Sequence, residues 1–319
     1  MVSILLLGWN HEKYIEQCIK SIIAQTYENI EVLFLDNNSS DETYNIGLYF
    51  LKDFSNFRAF RNQENKSIAK NFNFLLKASQ GKYIIPLSTD DWLEHNFIEE
   101  KVTYYEAHPS IGMLYNGGYI YYDDQKKLVE AKSTNFKRGK IFKDLFHQEN
   151  ILFFIGIFYK RTVLEELGGW DENLLIEDLD LFIRISMKYE IDYIPKPLAT
   201  YRKINTSASQ LSMKYEVDYI PKPLATYRKI NTSASQNIQF MVKGWEQYFE
   251  KYAHLPDINM KKWLAEKYRA YAALAIDNSN FNLARQLLLK SLRLDILNFK
   301  SYRTLFFFNR KWFISKFQK

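Results

Sequence analysis

What most constrains this chain is the way apolar strand runs alternate with helical patterns over its first ninety residues. Residues 2–7 (VSILLL) form an apolar run of the kind that a strand buried on both faces requires. A helical face carrying Tyr14, Ile15, Cys18, Ile19, Ile22 and Ile23 follows, with Asn10 placed to cap it. Residues 30–35 give a second apolar strand and residues 57–60 a short third one. Residues 68–78 read as a helix ended by Gly81, and residues 83–87 as a fourth strand. Strands that alternate with helices predict a parallel sheet with crossover connections. Ligands of such sheets bind beyond the carboxyl ends of the strands. Here those ends carry Gly8-Trp9-Asn10, Asp36-Asn37 and Asp90-Asp91, three polar clusters expected along one edge.

Beyond this region the pattern changes. Residues 112–159 are rich in aromatic and β-branched types and predict further strands of mixed direction. Gly168-Gly169-Trp170-Asp171 reads as a turn, and residues 176–184 start a helix with acids in its first turn, where the helix dipole favours them. From Met241 onward the pattern is helical. The expected class is α/β: a mixed, mainly parallel sheet flanked by helices, with a C-terminal helical region. Residues 185–210 recur almost unchanged as 211–236, differing only at Ile185/Leu211 and Ile191/Val217. Two copies are too few for a solenoid. The first copy, continuous with the helix at Glu177-Asp178, is expected to keep the native register, and the second to be surplus.

Composition limits the alternatives. With 47% apolar and 25% charged residues in 319, the chain can bury a full core and is not of the disordered class. The lone Cys18 excludes an internal disulfide, which suits a reducing compartment. The apolar N-terminus lacks a basic flank and is too short to span a bilayer, as is every other apolar stretch. A cytoplasmic protein, peripheral to the inner face of the plasma membrane, is the expectation. Net charge is +6, and after Asp295 all six charged residues, Lys300, Arg303, Arg310, Lys311, Lys316 and Lys319, are basic. Aromatic residues are interleaved with them, which suggests docking of residues 300–319 on an anionic membrane surface. No recognised nucleic-acid module accompanies the basic end, so no nucleic-acid partner is expected.

Several residues can carry chemistry. Asp90-Asp91 at a strand end can hold Mg²⁺ or Mn²⁺ and a ribose hydroxyl, because hard cations prefer oxygen ligands; the competing reading is a cap on a helix starting at Trp92. Asp36-Asn37 can bond a base or ribose, or form an ordinary Asx turn. Lys66 and Lys70 can meet phosphate or base, or sit on a solvated helix face. Glu177-Asp178 can supply a general base, or complement the helix dipole. His11, His95, His108, His147 and His254 lack metal-ligand spacing and receive no role.

Taken in order, the motifs resemble those of family 2 glycosyltransferases of the bacterial surface-glycan type, which have the GT-A fold. The resemblance covers residues 2–211. It rests on residues 8–15 (GWNHEKYI), 25–31 (QTYENIE), 36–43 (DNNSSDET), Ala69-Lys70-Asn71, 81–84 (GKYI), Asp90-Asp91-Trp92, Gly168-Gly169-Trp170-Asp171 and Glu177-Asp178. It implies a nucleotide-sugar-binding half over 1–105, an acceptor-binding half over 106–236 and a helical region over 237–319. Gly8, Trp9, Asn10, Asp36, Asn37, Lys66, Lys70 and Asp90 would then bind the donor. Asp91 and Asp90 would hold Mg²⁺ or Mn²⁺, and Asp178 would be the catalytic base. Glu177 and Trp170 would lie on the acceptor side. The reaction implied is inverting transfer from a nucleotide sugar, by default a UDP-sugar, to a hydroxyl of a glycan or lipid-linked acceptor. Two departures stand out: Ser88 occupies the first acidic position of the metal motif, and Asn37 stands where a second acid is usual. A nucleotidyltransferase would be expected to carry a glycine-rich phosphate loop after the first strand, where Gly8 stands alone, and a dehydrogenase would want G-x-G-x-x-G there. The remaining alternative is a non-catalytic nucleotide-sugar-binding homologue, inactivated at Ser88 or by the duplication.

Overall fold

The computed structural model of the chain describes residues 1–131, 136–147, 152–203, 238–297, 300–305 and 308. Two compact units emerge: Met1–Asn173 with Glu177–Asn205, and Leu174–Ile176 with Thr206–Lys319.

The first unit is built on a sheet of β1 (Val2–Gly8), β2 (Ile30–Asp36), β3 (Phe57–Arg61), β4 (Tyr83–Ser88), β5 (Trp92–Leu93), β6 (Ile111–Tyr122), β7 (Lys127–Glu130), β8 (Phe158–Lys160) and β9 (Glu190–Lys203). The strand order is β3-β2-β1-β4-β8-β6-β9-β5, with β7 added to β6. β1 to β4 are mutually parallel. β8 runs antiparallel to both of its neighbours, β9 is parallel to β6, and β5 turns back against β9. Every residue of β1 and β2 is buried, which explains their unbroken apolar character. The helices of this unit are α1 (Ile15–Ile23), α2 (Thr43–Leu51), α3 (Ile68–Ala78), α4 (Phe97–Ala107), α5 (Phe142–His147), α6 (Arg161–Leu167) and α7 (Glu177–Lys188). A mixed, mainly parallel sheet flanked by helices is thus both the expected and the observed architecture.

Three local expectations are corrected. Asn10 does not cap α1: it sits at φ 56° and its side-chain carbonyl accepts from Ser40 N–H, while Tyr14 holds the N-cap position without a side-chain bond. No helix begins at Trp92; that residue starts β5, paired with Thr200 of β9, and α4 begins only at Phe97. Gly81 is not a helix cap. It is glycine because a Cβ there would fall 2.4 Å from Ser3 Oγ and 2.6 Å from Ser3 N. Its N–H donates to buried Glu31, whose carboxylate also accepts from Ser3 Oγ, Gln80 N–H and Arg58. Burial raises the pKa of Glu31, but these donors outweigh that and hold it below the ordinary carboxylate value. One buried carboxylate therefore ties β1, β2, β3 and the approach to β4 together.

Of the duplicated segment, the first copy supplies the end of α7 and all of β9. The second copy lies outside the described residues. In the second unit, α8 (Ile238–Tyr252), α9 (Met260–Asp277) and α10 (Phe281–Leu294) follow one another. Asn259 and Asn280 cap α9 and α10, accepting from Lys262 N–H and Leu283 N–H. Trp245, Tyr248 and Trp263 form the aromatic contact between α8 and α9. Ser301 and Phe308 are buried, the latter against Phe281, so part of the C-terminal segment packs on its own unit. Among the described residues no helix is long and apolar enough to cross a membrane.

One interior group opposes folding. Lys101 of α4 is fully buried and, among the described residues, its ammonium donates only to Leu114 C=O, beside the Phe97 ring. Burial strips its water and pushes its pKa well below the usual lysine value. The unfolded chain then binds a proton at neutral pH that the folded chain holds less well, so stability rises with pH until the unfolded lysine also deprotonates near its ordinary value of about 10.4. Lys101→Met should raise Tm by a few degrees at pH 7, and the gain should shrink as pH approaches that value. Thermal unfolding of both proteins across this range checks it.

Candidate active site

The parallel register decides what meets what. Gly8 stands opposite Asp36 and Leu7 opposite Ser88, while Asp36 in turn faces Arg61. Four strand ends therefore open onto one edge. Gly8 is confined there, since a Cβ would come within 3.0–3.2 Å of Thr43, Thr89 and Phe34. Trp9 is exposed beyond it. The loop then folds back: Asn10 N–H donates to Ser39 Oγ, and His11 N–H to Thr43 Oγ1 at 2.7 Å.

Asp36 is completely buried. Its Oδ2 accepts from Ser39 N–H at 3.0 Å and lies 3.3 Å from Arg61 Nε. Its Oδ1 is buried with no hydrogen-bond partner among the described residues. A buried acceptor left unpaired costs free energy and calls for a ligand donor or water. Asn37 differs: its Oδ1 accepts from Asn62 Nδ2 and Lys66 N–H, and its Nδ2 donates to Lys66 C=O. The amide is spent on bracing the 62–66 loop, so its side chain is not presented to a base. Lys66 and Lys70 have exposed side chains, the latter in the first turn of α3.

The acid pair is buried. Ser88 Oγ–H donates to Asp90 Oδ1, so the serine that replaces an acid bonds its neighbour instead of repelling it. His11 Nδ1 lies 2.9 Å from Thr89 Oγ1 and 3.7 Å from Asp90 Oδ1. Asp91 Oδ1 accepts from Arg202 N–H at 2.8 Å. Burial, and then the neighbouring charge of Asp90, push the pKa of Asp91 well up. Neither Asp90 Oδ2 nor Asp91 Oδ2 has a hydrogen bond to a described residue. Two hard oxygen donors with a spare atom each, crowded together, fit Mg²⁺ or Mn²⁺ bound through one or two carboxylates plus phosphate. Among the described residues there is no cluster of three acidic, His or Cys side chains that would chelate a metal unaided.

Asp178 is reached along a continuous path. Asn62 Nδ2 bridges Asn37 and Asn71 of α3, and the next residue, Phe72, packs on Trp170 at 5.3 Å between ring centroids. Asn73 Nδ2 donates to Trp170 C=O, and Trp170 N–H donates to Asn73 Oδ1. Gly168 and Gly169 make the turn possible at φ 75° and 72°. The Trp170 indole N–H donates to Asp178 Oδ1 at 3.3 Å. Burial raises Asp178 to about 6, tempered by that bond. Glu177, buried beside it, is raised to about 8 by burial and then by the charge of Asp178. The two carboxyls titrate as a coupled pair, both raised by burial. Trp170, expected on the acceptor side, is 1% exposed and serves to orient Asp178.

Sequence reasoning passed over His11, Arg61 and Arg202. Each sits at or just past a strand end, which is the available signal, but strand register places Arg61, the sheet topology places Arg202 and the loop after β1 places His11 on the acids.

A family model described as "Glycosyl transferase family 2" matches residues 3–168. An uncharacterized glycosyltransferase of Haemophilus influenzae is 27% identical over 63% of this chain and 65% of its own length. Glycosyltransferase GlyA of Streptococcus pneumoniae is 27% identical over 66% of this chain and 32% of its own. The chain thus matches less than two thirds of the length of either relative. Among solved structures, S. aureus TarS 1–349 in complex with UDP-GlcNAc superposes with TM-score 0.59 at 16% identity, covering 93% of this chain and 83% of that one. The mannosyltransferase PcManGT from Pyrobaculum calidifontis, in complex with GDP-Man and Mn²⁺, gives 0.52 at 17% identity, covering 95% and 83%. These superpositions agree on a GT-A fold. The matched span contains the strand-end acids Asp36, Asp90 and Asp91 and runs to the turn that carries Trp170, and on that match the chain belongs to glycosyl transferase family 2.

Proposed function

We propose that the chain is an inverting glycosyltransferase that moves a sugar from a nucleotide-sugar donor to a hydroxyl of a glycan or lipid-linked acceptor. The observation that carries this reading is Asp178. It is a partly buried carboxylate held by Trp170, with a pKa of about 6, in the unit whose sheet edge bears Asp36 and Asp90-Asp91. A base poised near neutral pH suits abstraction of an acceptor proton. As the acceptor oxygen bonds to the anomeric carbon from one face, the bond to the diphosphate oxygen breaks on the other, and Asp178 takes the hydroxyl proton. Burial and the Asp178 charge disfavour ionisation of Glu177, which limits a second negative charge beside the base. Asp36 Oδ1 suits a ring N–H of the base, such as that of uracil, which supports a UDP-sugar. The nucleotide sugars bound to TarS and PcManGT support the donor class. Asp90 and Asp91 would hold Mg²⁺ or Mn²⁺, which when bound offsets charge on the departing diphosphate. Trp9, Lys66 and Lys70, exposed beside this edge, would meet base and phosphates. The basic, aromatic residues 300–319 would hold the protein on an anionic membrane surface.

Asp178→Asn should lower transfer about 10²–10⁴-fold while UDP binding persists, since the amide keeps the shape but takes no proton. In the unmutated protein kcat/KM should fall as pH drops through about 6, because the base is lost on protonation. A mutant of undiminished rate, or a flat profile from pH 5 to 8, would remove Asp178 from this role.

Asp91→Ala should abolish the Mn²⁺-dependent part of UDP binding. Calorimetry with Mn²⁺ and with chelator reads this directly, and identical isotherms for mutant and parent would give the pair another purpose.

Vesicles containing phosphatidylserine should float the full chain but not one lacking residues 300–319, and neutral vesicles should float neither. Equal flotation of both chains would assign the segment to internal packing, as buried Phe308 is already.

A further inference from the structure

We propose that Arg202, near the end of β9, is the positioning residue for Asp90-Asp91, setting the backbone and carboxylate geometry with which the pair would hold its cation. This rests on the reading of that pair given above.

Arg202 is 5% exposed, although arginine is rarely buried without a specific partner. Its main-chain N–H donates to Asp91 Oδ1 at 2.8 Å and its Nε–H to Asp90 C=O at 3.0 Å. One residue thus fixes a carboxylate oxygen of one acid and the peptide of the other. The far side of the guanidinium is anchored independently. One terminal nitrogen donates to Asp123 Oδ1 at 2.9 Å, just past β6, and the other to Gln17 Oε1 of α1. Its plane lies 4.7 Å from the Trp92 ring and 5.0 Å from the Tyr14 and Tyr121 rings. The side chain cannot turn without breaking contacts to α1, β5 and β6 together. Asp90-Asp91 lies in the short link between β4 and β5, and β5 itself pairs with β9 at Trp92↔Thr200 and Leu93↔Ala199. The strand that closes the sheet therefore also sets the acids.

Charge points the same way. One guanidinium stands among the carboxylates of Asp90, Asp91 and Asp123, so acidic groups outnumber the single cation there. A divalent cation held by the pair would offset that imbalance. Lysine could not substitute, since a single ammonium cannot span Asp90 C=O, Asp123 and Gln17 in one plane. Partners that orient metal-binding carboxylates without touching the metal typically contribute about 10–100-fold to metal affinity.

The duplication supplies an internal control. Arg228 lies in the second copy within the same Thr-Tyr-Arg-Lys sequence as Arg202. The full chain is compared with Arg202→Met, Arg202→Lys, Asp123→Asn and Arg228→Met. Thermal unfolding is measured, along with UDP binding in chelator and Mn²⁺ binding in the presence of UDP. Arg202→Lys should stay folded and bind UDP in chelator as the parent does, yet bind Mn²⁺ about 10–100-fold more weakly. Arg202→Met should lose at least as much Mn²⁺ affinity. Asp123→Asn, which keeps the guanidinium but removes the charge that holds one of its terminal nitrogens, should lose less, and it carries the test if both Arg202 variants unfold. Arg228→Met should match the parent in every measurement. Parental Mn²⁺ affinity in folded Arg202→Lys, or in Asp123→Asn where it carries the test, overturns the proposal and leaves the reading of Asp90-Asp91 intact. A loss in Arg228→Met instead of Arg202→Lys overturns it too. A parent chain that binds no Mn²⁺ with UDP removes that reading and the proposal together.

Discussion

The site depends on the parallel register of β1 with β2 and β4. A ladder that sets Gly8 against Asp36 and Leu7 against Ser88 makes the loops after these strands start from the same edge. A slip of one residue would turn every side chain to the opposite face. Glu31 opposes such a slip from the other half of the sheet. It lies in β2, accepts from Ser3 in β1 and from Gly81 ahead of β4, and has no room to follow a shifted strand. A buried carboxylate that would be costly unpaired becomes a register pin once four groups donate to it.

At the functional edge the same chemistry is used to opposite effect. The acids there are not all satisfied. Among the described residues Asp36 keeps one buried oxygen without a partner, Asp90 and Asp91 crowd each other, and Glu177 and Asp178 are held with raised pKa values. Each has a different neighbour: Arg61 for Asp36, Ser88 for Asp90, an Arg202 main-chain N–H for Asp91, an indole for Asp178. Surroundings this different suit chemically similar groups to different tasks. The same edge that destabilises the unliganded protein is the one that a cationic, hydrogen-bonding ligand would relieve.

Asn37 and Ser88, the two departures from the family pattern, have local explanations. Asn37 needs both a donor and an acceptor to hold Lys66 C=O and Lys66 N–H at once, which a carboxylate cannot do. Ser88 donates to Asp90, where a third acid would add repulsion to an already crowded pair. Ser88 thus supports an acid directly, and Asn37 braces the loop beside it.

The first four strands, the helices α1 and α3 and the polar strand ends were legible in the sequence because apolar period and strand-end residues are local signals. The family motifs likewise placed Asp36, Asp90, Asp91 and Asp178 in order. Trp170 was read as part of a turn and, by the resemblance, as an acceptor-side residue; its bond to Asp178 depends on Asn73 and Phe72, about a hundred residues earlier. Asn10 looked like a helix cap because asparagine before an apolar helix usually is one; the loop from Ser39 to Thr43 competes for it and wins. Trp92 looked like a helix start because its pairing strand lies more than a hundred residues later. By itself the sequence determined β1 to β4, α1 and α3, the order of the motifs and the family, since these follow from residue type and spacing. Only the tertiary structure decided that β9 closes the sheet beside β5 and brings Arg202 under the acid pair, because a contact between residues 90 and 202 is set by sheet topology and burial and leaves no periodic trace along the chain.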